Sequence, residues 1–228
     1  GAKPIFVDIE RSYYTIDVTK IEEKITSKTK AIIVVHLFGQ SVEMDKIINI
    51  CKRNKLQLIE DCAQAHFADW KGIKVGTMGV AGTFSFFPGK NLGAYGDAGA
   101  IITNDESLAI RCRMYANHGS LKKHHHEIEG INSRLDGIQS AILSVKLPYI
   151  EEWNAARYNN ALIYNELLKN IVEVKTPLIR KDSKHVFHLY VIRCKKRDLL
   201  MDYLSNKGIA TGIHYPKALP FLKAYKYL

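Results

Sequence analysis

A chain of 228 residues with a 46% apolar share can bury a sizeable core, which excludes the disordered and fibrous classes. The formal charge of +10 favours acidic partners, yet lysine and arginine are scattered among acids and no nucleic-acid-binding motif accompanies them, so a phosphorylated small molecule is expected rather than nucleic acid. No signal peptide is evident and no apolar run approaches the roughly 18 residues that span a bilayer. Cys51, Cys62, Cys112 and Cys194 lack C-x-x-C spacing, and a cytoplasmic protein with reduced thiols, no membrane partner and no metal is expected.

In chain order, Ile5–Ile9 reads as a short strand and Ile21–Ile25 as a short helix. Thr29–Leu37 is a continuous β-branched run of the kind found in strands covered on both faces. Met44, Ile47, Ile48 and Cys51 fall at helical spacing, and Leu56–Asp61 reads as the next strand, so parallel βαβ units are expected. Gly82–Phe87 reads as a buried strand and Ala98–Thr103 as its return. Asn104–Asp105 can cap a helix carrying Leu108, Cys112 and Tyr115. Asn117–Gly130 is loop-like, and its adjacent histidines His124, His125 and His126 cannot converge on one metal. A long helical pattern from Arg134 places Leu135, Ile138, Ile142 and Val145 in a core stripe and resumes after Pro148 through Trp153 to Tyr164. Further on, Val186–Cys194 and Ile209–Tyr215 read as strands around a helix over Asp198–Lys207, the beginning of a smaller α+β domain. The α/β fold is thus divided into residues 1–147, a large domain with a mixed, mostly parallel sheet flanked by helices, and 148–228, a linking helix with the small domain.

The chemistry centres on Lys90. An aromatic run breaks at Pro88-Gly89 and delivers this lysine into a segment carrying Gly93, Gly96 and Gly99. It either reaches outward as an ordinary turn lysine or is held inside for attack on a carbonyl. Neither the phosphate-loop nor the dinucleotide glycine pattern fits these glycines. Asp61 stands at a strand's carboxyl end, where open α/β sheets collect functional groups, although capping a turn is an equally plain use of an aspartate there. Pyridoxal phosphate requires a lysine for attachment, an acid at the ring nitrogen, a polar partner for the ring oxygen and donors for the phosphate. Lys90, Asp61, Gln64 and Ser85 match those needs in that order.

The segments His36-Leu37-Phe38-Gly39-Gln40, Ile59 to His66, Phe84 to Gly93, Gly96 to Ala100 and Asn132 to Asp136 resemble, in order and spacing, the DegT/DnrJ/EryC1/StrS family of sugar aminotransferases, and the resemblance runs from end to end of the chain. It implies the pyridoxal-phosphate transferase fold of type I, with Lys90 as the Schiff-base lysine, Asp61 at the pyridine nitrogen, Gln64 beside the ring hydroxyl and Ser85 on the phosphate. Asn132 matches an asparagine that reaches the neighbouring subunit's cofactor, which implies a homodimer with shared active sites. His214 and Tyr215 match a loop that approaches the sugar, though they also read as an ordinary strand end. The implied reaction moves an amino group, commonly from glutamate, to a nucleotide-linked ketosugar; a non-catalytic or regulatory protein of the same fold is the alternative. Relatives that dehydrate sugars carry histidine in place of Lys90. Many relatives have tyrosine where Phe87 stands. Family members are longer at both ends, so the chain is expected to be a fragment that lacks the helix start and stacking aromatic of the cofactor site.

Overall fold

A computed structural model describes residues 1–227. Its centre is a four-stranded sheet built from β1 (Ala31–Val35), β2 (Gln57–Asp61), β5 (Ala81–Ser85) and β6 (Gly99–Ile102), in the order β1-β2-β5-β6. The first three strands are parallel and β6 is antiparallel to β5. Helix α1 (Met44–Asn54) links β1 to β2, and its Met44, Ile47, Ile50 and Cys51 pack on Ile32, Val34 and Leu58, so this βαβ unit is present. Lys55 ends the helix in the left-handed region at φ 54.

Two features of the sheet differ from the sequence expectation. The strand β1 is covered on one face only. Ile32 and Val34 are buried while Ile33 is 61% exposed, because α1 and the crossover to β5 both lie on the Ile32/Val34 side. The crossover from β2 to β5 also contains no helix. It carries only the hairpin β3 (Asp69–Trp70) and β4 (Ile73–Lys74).

A buried carboxylate does the work a crossover helix would do. Glu60 accepts from Gly76 N at 2.7 Å, Met78 N at 2.8 Å, Gly79 N at 2.7 Å and His36 Nε2 at 3.0 Å. His36 Nδ1 accepts from Val42 N at 3.1 Å, which assigns the imidazole proton to Nε2. Residues 76–79 are thereby pulled onto the sheet so closely that a Cβ at Gly82 would stand 2.4 Å from Gly76 O. Burial is the largest influence on the Glu60 carboxyl and pushes its pKa upward, but the His36 and backbone N–H donors outweigh it and hold the value below the ordinary 4.5.

Past β5 the chain forms a closed loop. Ala94 N donates to Phe86 O at 2.8 Å and Lys90 N to Phe87 O at 2.9 Å. Asn91, Leu92 and Ala94 are buried, so the loop is anchored on one side and presents Lys90 and the exposed Phe87 on the other. Gly93 permits this closure, since a Cβ there would lie 2.4 Å from Pro88 O.

After β6, helix α2 (Glu106–Ala116) begins at Asp105, whose carboxylate accepts from Leu108 N at 3.0 Å as the sequence indicates, but the residue it buries is Met114 rather than the expected stripe. The expected loop at 117–130 contains a hairpin of β7 (Ser120–Lys122) and β8 (His125–His126). Helix α3 (Gly137–Lys146) buries Leu143, and α4 (Ile150–Leu168) buries Ile150, Asn154 and Ala161. The stripe expected to be core is instead solvent-facing, with Ile138 and Val145 both 72% exposed. The periodicity is real, but the elements available to pack on these helices lie on the Leu143/Ile150 side, against Leu92 and Ala94.

The remaining strands are short. β9 (Val174–Lys175) pairs with β11 (Arg193–Cys194), and β10 (Ser183–Lys184) pairs with β3. The strand expected over Val186–Cys194 survives only as β11, because the ladder bonds of its first half are spent elsewhere: Val186 N donates to Gly39 O and Leu189 N to Phe38 O. Phe187 is turned into the left-handed region at φ 41 and buried. Helix α5 (Arg197–Asn206) matches its expectation and Gly208 follows it at φ 75, but Ile209–Tyr215 forms no strand. At the other end, Ile9 makes only a single bridge with Ile16, and Ile21–Ile25 holds a 3-10 turn over Glu22–Lys24. No helix among the described residues is long and apolar enough to cross a membrane.

Glu60→Gln is expected to cost about 2–4 kcal/mol in urea unfolding, because an amide group replaces one acceptor oxygen among four donors. The folded carboxyl titrates below its unfolded counterpart, so its contribution is complete above the unfolded pKa and is lost as pH falls through the folded value. The substitution should therefore flatten the acid limb of the stability profile, and an acid limb identical to that of the parent would contradict the assignment. Gly93→Ala is expected to lower the melting temperature and to speed amide exchange across residues 87–94, read by mass spectrometry.

Candidate active site

The sheet alternation sorts the polar groups. Val35, Asp61 and Thr83 are cross-strand neighbours, and Ser85 lies two residues beyond Thr83. Asp61, Thr83 and Ser85 therefore share the face opposite Glu60 and Phe84, at the carboxyl ends of the parallel strands. Asp61 Oδ1 accepts from Ala63 N at 2.9 Å, an Asx turn of the kind its position suggested, and its second oxygen has no partner among the described residues. Ser85 Oγ accepts from Phe87 N at 3.4 Å, which leaves its proton available.

Gln64 is held from both ends of its amide. Its Oε1 accepts from Phe38 N at 2.7 Å, and its Nε2 donates to Tyr215 Oη at 2.8 Å. Phe38 itself is fixed at φ 59 inside the turn that follows β1. One hydrogen of the Gln64 amide makes no hydrogen bond among the described residues. Tyr215, remote in sequence, is thus brought to a residue of the first sheet, with the exposed His214 packed edge-on to it at 5.3 Å.

Lys90 is half-buried, and its ammonium makes no ion pair or hydrogen bond among the described residues. Near it stand two histidines, His66 and His188, whose protonation its charge opposes. His66 is buried between Phe84 and Phe86, at 5.7 and 5.6 Å between ring centroids, and burial together with the Lys90 charge lowers its pKa to about 4. Burial, followed by Lys90 and Arg157, lowers His188 to about 4 as well, and burial alone lowers His185 to about 3. Asn91 and Asn154 form the polar floor beneath this group. The available signal was the polar pair Lys90-Asn91 inside an otherwise apolar and glycine-rich run, together with His185 and His188 flanking Val186-Phe187.

The residues named from sequence are thus distributed unevenly. Asp61 and Ser85 share the sheet face, Gln64 and Tyr215 are joined through the Gln64 amide, and Lys90 and His214 both stand near enough to His188 to disfavour its protonation. Asn132 stands apart, exposed, in a bridge with Asn117, and no hydrogen bond links it to the others among the described residues. His36, Glu60 and Cys62 bring three possible metal ligands within 4.8 Å, but the Glu60 oxygens already hold four donors and His36 Nε2 carries a proton, so the cluster is a hydrogen-bonded strut. The Cys62 thiol is pushed up by burial and by the neighbouring carboxylates, away from the thiolate that a metal would need.

Residues 1–228 match the DegT/DnrJ/EryC1/StrS aminotransferase family. A "Pleiotropic regulatory protein" of Geobacillus stearothermophilus is 51% identical over 96% of this chain and 59% of its own length. The dTDP-3-amino-3,6-dideoxy-alpha-D-galactopyranose transaminase of Aneurinibacillus thermoaerophilus is 50% identical over 99% of this chain and 62% of its own. Among solved structures, S. venezuelae DesV in complex with a ketimine intermediate superposes with a TM-score of 0.96 at 39% identity, covering 99% of this chain and 61% of that one. The chain therefore spans about 60% of the length of the relatives it matches. The fold is that of the pyridoxal-phosphate-dependent transferases of type I, with its mixed sheet and flanking helices. On the match along its whole length, the chain belongs to the DegT/DnrJ/EryC1/StrS aminotransferase family.

Proposed function

We propose that the protein is a pyridoxal-phosphate-dependent aminotransferase that moves an amino group from glutamate to the 3-keto or 4-keto position of a nucleotide-linked deoxyhexose. The observation that carries this reading is a set of unspent groups around the end of β5: an aspartate with an open oxygen and a serine with a free proton on one sheet face, and a lysine without an ion pair in the loop that follows. That donor set fits the cofactor. Pyridoxal phosphate, when bound, supplies an aldehyde that takes up the amino group and a ring that withdraws electrons from the attached carbon.

The chain's residues supply the rest. Asp61 directs its open oxygen to the ring nitrogen and keeps a proton there. Gln64, fixed by Phe38 and Tyr215, offers its remaining amide hydrogen to the ring oxygen. Ser85 donates to the phosphate. Lys90 Nζ would hold the cofactor and, when free, would take the proton from the donor amino acid's α-carbon as a base and give it up again as an acid. His214 and Tyr215 face the sugar, and Asn132 reaches the cofactor phosphate of a second subunit, making the working unit a homodimer with shared sites. Residues 1–147 serve as the cofactor-binding domain and 148–228 as the linking helix and small domain, although β10 and Val186 pack back onto β3 and Gly39. Aminated nucleotide sugars of this kind would feed cell-surface polysaccharide or natural-product assembly in the cytoplasm. The relative named as a pleiotropic regulatory protein favours a second reading, a regulatory member that keeps the fold without turnover.

The purified protein incubated with pyridoxal phosphate should show a visible absorption band, and borohydride should fix the cofactor to Lys90. Lys90→Ala should lose the band and slow transfer to a nucleotide-linked ketosugar by about 10³-fold or more; unchanged transfer by this variant would sink the mechanism, and a band without transfer in the parent would favour the regulatory reading. Mixing Lys90→Ala with Asn132→Ala protein should restore activity, since one site of each mixed dimer would then be intact. No recovery on mixing would argue against shared sites.

A further inference from the structure

Lys90 is followed by a residue whose polar atoms are all committed. Asn91 is 5% exposed. Its Nδ2 donates to Asn154 Oδ1 at 2.7 Å and to Val186 O at 3.0 Å, and its Oδ1 faces His188 Nδ1 at 3.1 Å. Asn154, on α4, donates its own Nδ2 to His66 O at 2.9 Å. Val186 O and His66 O are carbonyls and can only accept, so the orientation of both amides is settled from the two ends of the chain of bonds. The consequence reaches His188: the atom it faces is an acceptor, so its Nδ1 carries the proton and its Nε2 is left as a lone pair. Arg157, one turn after Asn154 in the helix, donates to Phe187 O at 3.3 Å and to His188 O at 3.4 Å, which holds the histidine's backbone in place.

We propose that His188 is a positioning residue for Lys90, acting through Asn91: the imidazole N–H locks the Asn91 amide, and that amide fixes the turn from which the lysine reaches the site. The inference rests on the reading of Lys90 as the reactive amine but assigns a task to residues outside the cofactor-binding set. Three separate segments meet at Asn91, namely the lysine loop, α4 and the 185–188 segment, so a change in any one is transmitted to the lysine's backbone. The neutral state of His188 belongs to this design. The charged and titratable groups around it are Lys90 from the loop, Arg157 from α4, His66 from the segment after β2 and His214 from the C-terminal region, and a second proton on the imidazole would be opposed by the two cations among them.

The test is competitive acetylation of the cofactor-free protein between pH 6 and 10, with each lysine read by mass spectrometry and exposed Lys28 as internal standard. His188→Phe keeps the ring and removes the donor. It is expected to change the Lys90 labelling rate relative to Lys28 by about fivefold, the equilibrium equivalent of one net hydrogen bond. His188→Asn, whose Nδ2 stands as many bonds from the backbone as the imidazole Nδ1 and can still donate to Asn91 Oδ1, should restore the parental profile. A Lys90 profile in folded His188→Phe protein that overlays the parent, with folding checked by circular dichroism, overturns the proposal, as does an Asn variant that behaves like Phe. If the Phe variant does not fold, His188→Leu, which has no donor, carries the same comparison. Borohydride fixation of pyridoxal phosphate in the parent is scored separately. Its failure would remove Lys90 as the cofactor lysine, while the labelling comparison would still decide whether His188 governs that side chain.

Discussion

The buried Glu60 carboxylate is the constraint on which the rest of this structure depends. A parallel connection normally needs a helix to carry the chain back across the sheet, yet here residues 62–80 return without one. What holds them is a single negative group with four donors, three of them backbone N–H groups of Gly76, Met78 and Gly79. Desolvating a carboxylate is costly unless its lone pairs are matched, and here the match is complete. Because the fourth donor is His36, the same carboxylate also sets the turn after β1 that contains Phe38, and through Phe38 N it sets the Gln64 amide. Folding and site geometry thus share one anchor.

The lysine loop that follows β5 obeys a related logic. It is closed by backbone bonds at Phe86–Ala94 and Phe87–Lys90, and its buried side is polar at Asn91 and apolar at Leu92 and Ala94. A loop tied in this manner can leave one ammonium without an ion pair, because its conformation does not depend on that side chain. The neutral histidines nearby add no competing charge.

Much of the βαβ half was legible in the sequence, because α1 and β2 are specified by local periodicity and by burial of the same residues that show it, such as Met44, Ile47 and Leu58. Lys90, Asp61, Gln64 and Ser85 were legible as types at strand ends, and the family resemblance assigned their roles. What escaped was whatever depends on contacts distant in sequence. The run Val186–Cys194 has strand composition, but its N–H groups find carbonyls at Gly39 and Phe38, which no local pattern announces. Ile138 and Val145 have the period of a core stripe, and only the position of neighbouring elements shows that Leu143 is the residue turned inward. Glu60 passed unnoticed for a simpler reason: an acid in a strand reads as solvent-facing until its donors, 16 to 24 residues away, are seen to converge on it.

Glu60 and Asp61 are adjacent in sequence and point to opposite sides of one strand. The first is consumed in holding the crossover, and the second keeps an oxygen free. Since successive side chains alternate between faces, a slip of one residue in the pairing of β2 with β1 and β5 would exchange the two acids, placing the open carboxylate in the interior and the anchoring one at the surface. Strand register in this protein is therefore a chemical specification as well as a structural one: it decides which of two neighbouring carboxylates remains available to a ligand.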